Sequence, residues 1–479
     1  MNFIHPQFSL ALPEMILLGM ISIILIADLF ISDKGRVVTY LMTQATLVLA
    51  AIATAAVMGA DVALSFNGHF IIDPLASLTK LFIYLVSMVA FAYSRSYLIE
   101  RDMYRGEYFV LGLTAVLGMM VLASAHSLLT LYLGLELLSL SLYAMVGLRR
   151  DSSQAAEAAM KYFVLGAMAS AMLLYGMSMI YGATGTLNLW EIRDAVAEGS
   201  GHSLVLIFGL VFLMVGVAFK LGAAPFHMWV PDVYHGAPTS VTLFLSSAPK
   251  LAAFVLMIRL LVDALPALAS AWSDMLVIIA VLSIVLGNVI AIAQLNIKRM
   301  LAYSGISHIG FLLLGVLSAT PEGYAAAFYY AIVYAIMSLG GFAMVLVMSR
   351  QGFEADELSD YAGLNERSPI IALMMLFIMF SMAGVPPLLG FWAKLAVIQA
   401  IVAVEYYQLA VLAVLFSVVG AFYYLRVIRI IYFDKPTERR ELKPANDLKV
   451  IFIANAMLVL LLGLFPESLM NLCQSAFIY

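Results

Sequence analysis

Apolar runs of about 17–25 residues or more recur along this 479-residue chain, and each can cross the ~30 Å hydrocarbon core of a bilayer as a helix. Fourteen are read, over 10–30, 37–58, 74–94, 107–125, 128–148, 158–182, 204–224, 240–262, 274–295, 301–318, 323–348, 370–400, 406–431 and 449–470. They are long and unbroken, without the ten-residue alternation of an outer-membrane barrel, so helices are expected rather than strands. Composition agrees. The chain is 64% hydrophobic and 11% charged with a mean hydropathy of +1.02, against ~45–50% and ~25% in soluble domains. The expected fold class is an all-α integral membrane protein.

Loop charges test the helix count independently. The odd-numbered loops and their margins carry Lys34, Arg36, Arg95, Arg101, Arg105, Arg149, Arg150, Lys298, Arg299, Arg350 and Arg367. The thirteenth loop adds Arg426, Arg429, Lys435, Arg439, Arg440, Lys443 and Lys449. The even-numbered loops carry only Arg193, so the asymmetry is 18 to 1. Under the positive-inside rule the odd loops face the cytoplasm and both termini face outward. Ahead of the first run stands His5 with no Lys or Arg, so helix one is expected to remain as an anchor rather than be cleaved. The single cysteine, Cys473, excludes a disulfide framework and a cysteine-ligated iron–sulfur cluster within this chain. Phosphate-binding, dinucleotide-binding and H-E-x-x-H motifs are missing from the sequence.

Six basic residues remain inside apolar runs: Lys80, Lys161, Lys220, Lys250, Arg259 and Lys394. A charge at mid-bilayer costs ~2.5–3.5 kcal/mol even on the lenient insertion scale. Such groups must face the bundle interior, pair, or be hydrated. Lys220 precedes Gly222 and Pro225 in VAFKLGAAPFHMWVPD, where the helix is expected to break. A broken helix at membrane depth persists only where it lines a protein-buried or watered cavity. Lys250 follows Pro249, with Ser246 and Ser247 beside it; it is either a proton carrier or a cap on carbonyls freed by the kink. Lys394 follows the break expected at Gly384, Pro386 and Pro387.

Glu136 sits near the middle of helix five, with Ser139 and Tyr143 on its face. It is either a proton-handling carboxyl, the default for an intramembrane carboxylate, or a structural one. His308 in helix ten has a ring that ordinarily titrates near neutrality and is either a relay or a hydrogen-bonded packing residue. Lys161 is spaced i,i+4 from Glu157, as an entry-side relay or an interfacial ion pair. Lys80 and Arg259 lie near helix ends and are expected to snorkel. His227, Asp232 and His235 have a spacing that fits no strong metal site.

The Gly/Pro breaks at 222–229 and 384–392 lie five helices apart and are each followed by an aromatic. An odd offset inverts one unit against the other. The expected organisation is three helices over 1–106, a five-helix unit over 107–262, an inverted unit over 274–432, and a cytoplasmic loop with a last helix over 433–479.

Three segments, FKLGAAPFHMWVPDVYHGAPTSVTLFLSSAPK (219–250), IKRMLAYSGISHIGF (297–311) and GVPPLLGFWAKL (384–395), make the chain resemble a known family. It is similar to the antiporter-like membrane subunits of bacterial NADH–quinone oxidoreductase, respiratory complex I, and nearest to their N-type members. Subunits of multisubunit cation/proton antiporters share the first motifs. The resemblance implies a proton-translocating subunit in the bacterial inner membrane, beside K-type and M-type subunits and the peripheral redox arm, with no nucleic-acid partner. It implies that Glu136 pairs with Lys220, and that Lys250 and His308 pass the proton towards Lys394. It places NADH, FMN, iron–sulfur clusters and quinone elsewhere in the complex, with no cofactor site in this chain.

Overall fold

The computed structural model describes residues 6–32, 35–59, 62–200, 204–436, 442 and 444–477. His5, Lys34, Arg439, Arg440 and Lys443 lie outside the described residues. Nearly all of the rest is helical. Thirteen helices among the described residues are long and apolar enough to span a membrane. Two shorter apolar helices, Pro369–Ala383 and Leu389–Ala403, flank the expected break in helix twelve. Helix starts follow local chemistry, because an oxygen-bearing side chain satisfies an orphan backbone donor of the first turn. Ser127 accepts from Thr130 N, Ser152 from Ala155 N, and Asn296 from Arg299 N. The one described sheet is a two-stranded antiparallel hairpin, Ala63–Ser65 against Phe70–Ile72.

The chain divides into two compact units. The first comprises Met1–Met88, Tyr104–Leu221 and Ala248–Met275. Within it, Gly106–Ala123 and Leu128–Val146 cross closely at Gly118 and Gly134. A side chain on Gly134 would meet Leu122 N at 2.8 Å and Gly118 O at 3.0 Å. Small residues that let backbones approach are how membrane helices associate without a hydrophobic driving force. This crossing fixes the helix that carries Glu136.

The second unit comprises Val89–Met103, Gly222–Ser247 and Leu276–Tyr479. Its helices Ile297–Leu317 and Pro321–Met348 are almost entirely buried. Their polar side chains, Lys298, Ser304 and His308 among them, are therefore buried and must find partners inside the fold.

All three interruptions anticipated from Gly and Pro occur. Leu204–Leu221 ends at Gly222, whose φ is +76°, and helix resumes at Trp229–Gly236. Pro369–Ala383 ends at Gly384, with φ +88°. Only glycine adopts this left-handed geometry without the clash between Cβ and the next carbonyl. The span Thr239–Ala264 is interrupted at Ser246 and Ser247, between Thr239–Leu245 and Ala248–Ile258.

Lys80 and Arg259 do not snorkel. Lys80 Nζ lies 2.5 Å from Glu14 Oε1, and the lysine side chain is 2% exposed. Arg259 bonds Asp73 at 2.7 Å and Asp263 at 2.8 Å with its own side chain 3% exposed. The physical reason is that each charge found a carboxylate inside the fold. Asp73 is itself fixed, accepting from Ala76 N at the start of Pro74–Glu100. Lys298 departs from expectation too. It belongs to the Ile297–Leu317 helix, is 3% exposed, and donates to Ala237 O at 3.0 Å.

Removing one member of a buried ion cluster leaves its partners uncompensated, at a cost of about 3–5 kcal/mol. Arg259→Met should therefore destabilise the protein by about that amount. Denaturant unfolding of the purified protein in detergent would measure it, and an unchanged midpoint would remove the cluster from any stabilising role.

Candidate functional site

In the first unit the site begins with the Leu128–Val146 helix. Glu136, Ser139 and Tyr143 fall three and four residues apart, so they line one face. Lys220 stands in the last turn of Leu204–Leu221, where a cation is favoured by the partial negative charge of the helix end. Its Nζ donates to Ser139 Oγ at 2.7 Å. The direct Glu136–Lys220 ion pair implied by the family resemblance is not formed in this geometry. Glu136 Oε1 is instead buried with no hydrogen-bond partner among the described residues.

Lys250 reaches the same helix end from the Ala248–Ile258 helix. Its Nζ donates to Leu221 O at 2.8 Å, with Lys220 O at 3.5 Å. The last carbonyls of a helix lack internal partners, and here the break at Gly222 hands them to an ammonium. The carbonyls that Lys250 reaches are thus those of the Leu204–Leu221 helix rather than those of its own kink. Two lysines meet at one terminus. One leaves from it and the other lands on it.

The second unit repeats this local form once. Lys394 Nζ donates to Ala383 O, the residue before Gly384, at 2.8 Å, and to Ser417 Oγ at 3.0 Å. A side chain added at Gly384 would meet Lys394 Cδ at 3.0 Å, so the glycine supplies room as well as backbone geometry. The Phe311 ring centroid lies 5.2 Å from the ammonium, within cation–π range. No carboxylate among the described residues lies within 4.0 Å of Lys394 Nζ. In the same unit His308 is held at both ring nitrogens. Nδ1 meets Tyr330 OH at 2.7 Å and Nε2 meets Tyr424 OH at 3.0 Å. Tyr424 OH also bonds Ser304 Oγ. A neutral imidazole offers one donor and one acceptor, so the two tyrosines complete it.

Lys161 is elsewhere. Its pair with Glu157, at 2.8 Å, has side chains 42% and 66% exposed, so it lies on the outward face of Ser153–Thr184. Nor do His227, Asp232 and His235 gather. Asp232 bonds Arg299 at 2.8 Å and His235 lies 3.7 Å from Asp356. No group of three metal-capable residues occurs among the described residues. Ser417, Tyr330 and Tyr424 were not anticipated, because each comes from a different helix from the residue it serves. Also unforeseen was His126, which follows the Gly106–Ala123 helix. It is fully buried, and burial together with the Arg259 charge lowers it to about 4, leaving a neutral ring at pH 7.

Comparison with known proteins follows the geometry. Residues 125–420 match the family described as NADH:quinone oxidoreductase/Mrp antiporter, transmembrane region. The chain is 58% identical to NADH-quinone oxidoreductase subunit N of Thioalkalivibrio sulfidiphilus, covering 99% of each sequence. A chain of respiratory complex I from Thermus thermophilus superposes with a TM-score of 0.82 at 32% identity, over 96% of this chain and 98% of that one. A chain of the Mrp complex from Dietzia superposes with a TM-score of 0.83, over 98% and 97%, but at 20% identity. That last likeness is one of fold.

Gly384→Ala tests the break directly. A Cβ in left-handed geometry costs about 1–2 kcal/mol, and this one also presses on Lys394. The variant should unfold at a lower denaturant concentration. Alanine at Gly182, inside the Ser153–Thr184 helix, where a Cβ meets nothing within 4 Å, should hold or raise the midpoint, since alanine is the better helix former.

Proposed function

The chain belongs to the subunit N family of NADH-quinone oxidoreductase, and from that premise we propose that its buried lysines carry the protons which the complex translocates. It is a membrane proton-translocating subunit of this translocase. The observation that carries the residue assignment is the seat of each lysine. Lys220 and Lys394 are hydrogen-bonded to neutral oxygens, serine hydroxyls and a helix-end carbonyl, rather than to carboxylates. An ammonium so held is satisfied in geometry, and giving up its proton breaks no ion pair.

Glu136, Lys220 and Lys250 act in the first unit, and His308 and Lys394 in the second. Glu136 supplies the anion that holds the Lys220 proton when the two side chains pair, a state other than the Ser139-bonded one. Lys250 takes up a proton beside the Leu204–Leu221 terminus. His308 receives or gives a proton at either nitrogen while its tyrosines reorient, and Lys394 is the last carrier. Lys161 serves on the entry side. Residues 107–262 and 274–432 are read as two inverted sequence repeats, a reading supported by the left-handed glycines that end Leu204–Leu221 and Pro369–Ala383. NADH, FMN, iron–sulfur clusters and quinone belong to other subunits. K-type and M-type subunits are the membrane neighbours, in the bacterial inner membrane. The antiporter alternative is less supported, since identity over the full chain is 58% to a subunit N but 20% to the Mrp chain.

Lys394→Ala should depress NADH-driven pumping and quinone reduction together, by roughly tenfold or more, in vesicles holding equal amounts of assembled complex. Lys394→Arg should rescue little, because a guanidinium keeps its proton at any accessible pH. Full pumping by the arginine variant would make Lys394 an electrostatic post. Sidedness has its own test, in a Cys473→Ser background. An impermeant thiol reagent added outside should label Glu198→Cys and spare Lys435→Cys; the reverse pattern would invert the topology.

A further inference from the structure

The Leu128–Val146 helix offers Lys220 more than one seat. Glu136 and Ser139 are three residues apart, and Tyr143 is four further on, so one ammonium can slide along a single face. The seat occupied is Ser139, at 2.7 Å. That serine is 2% exposed, and its hydroxyl donates to Leu135 O at 2.5 Å. Back-bonding of this kind is common for a helical serine, and it explains where the hydroxyl proton goes. It does not explain the lone pair turned to Lys220. With its proton committed, Ser139 presents only an acceptor to the ammonium. Meanwhile Glu136 Oε1 stays buried and unpartnered among the described residues.

The third seat is blocked in a defined way. The Lys220 ammonium lies 5.8 Å from the Tyr143 ring. Tyr143 is packed against Gly166, where any Cβ would collide with the phenol oxygen. The tyrosine is thereby held as an aromatic wall beside the lysine.

We infer that Ser139 is a positioning residue for proton transfer, a neutral second seat that holds the Lys220 ammonium off the Glu136 carboxylate and makes the pair two-state. This rests on the proton-transfer reading above. In one state Lys220 is paired with Glu136 and its proton is retained. In the other it is bonded to Ser139, the carboxylate is released, and the proton can pass to Lys250 in its amine form, leaving Lys220 as the neutral amine. Ser139 itself relays no proton, since its own hydroxyl hydrogen is donated to Leu135 O. Without the hydroxyl, the ammonium loses its neutral seat, and the Glu136 carboxylate three residues away is the charged acceptor on the same face.

The test uses the assembled complex in sealed vesicles, with the initial rate of NADH-driven proton uptake measured per assembled complex. Ser139→Ala should lower pumping by roughly tenfold. Ser139→Thr, which restores an acceptor at the same place, should recover most of it. In a Glu136→Gln background, Ser139→Ala should add little further loss, because both changes act on one pair. Undiminished pumping by Ser139→Ala, a threonine variant as poor as alanine, or additive losses would each overturn the inference. Lys220→Ala separates the two claims. If it stalls pumping while Ser139→Ala does not, only this inference fails; if Lys220→Ala pumps normally, the functional reading itself fails.

Discussion

A charged side chain inside a bilayer-spanning fold must be satisfied by the fold, and much of this structure is arranged around that demand. Water satisfies an ammonium at almost no cost at a surface. At membrane depth the available acceptors are carboxylates, hydroxyls and those backbone carbonyls that a helix does not use. Intact helices offer none of the last kind in mid-span. Breaking a helix creates them, and the break needs a glycine that tolerates left-handed geometry. Gly222 and Gly384 are those residues, with φ of +76° and +88°. The carbonyl just before each, Leu221 O or Ala383 O, receives a lysine ammonium at 2.8 Å.

Charges in the chain then sort by the kind of acceptor they found. Lys80 and Arg259 are buried against carboxylates. Such pairs fix structure: separating the ions leaves each stranded in low dielectric. Lys220 and Lys394 are bonded to neutral oxygens. Their hydrogen bonds hold position without cancelling charge, which suits a group that changes protonation state. Both kinds lie in apolar sequence, and composition does not distinguish them.

His308 shows the same economy in another form. Its two nitrogens are occupied by Tyr330 and Tyr424, and Tyr424 is tied in turn to Ser304. Hydroxyls can donate or accept, so the network can reverse its direction without moving heavy atoms far. A carboxylate at either position would have fixed the imidazole in one sense.

What the sequence determined by itself is the part that depends on one segment at a time. Run length gave the helices, because span is length times rise. Gly222, Pro225, Pro249, Gly384 and Pro386 gave the breaks, because a break is a backbone property. Apolar surroundings marked Glu136, Lys220, Lys250 and Lys394 as costly and therefore worth attention. What only the tertiary structure decided is the identity of each partner. Arg259 and Lys80 looked like snorkelling residues because Asp73 and Glu14 lie far away in sequence. Lys220 landed on Ser139 rather than Glu136, though both lie on one face, since three residues of helix leave either within reach. Ser417 and Tyr424 reach Lys394 and His308 from another helix. A buried charge can be foreseen from one helix, but its acceptor comes from whichever neighbour packing brings within about 3 Å, and a linear pattern carries no record of that.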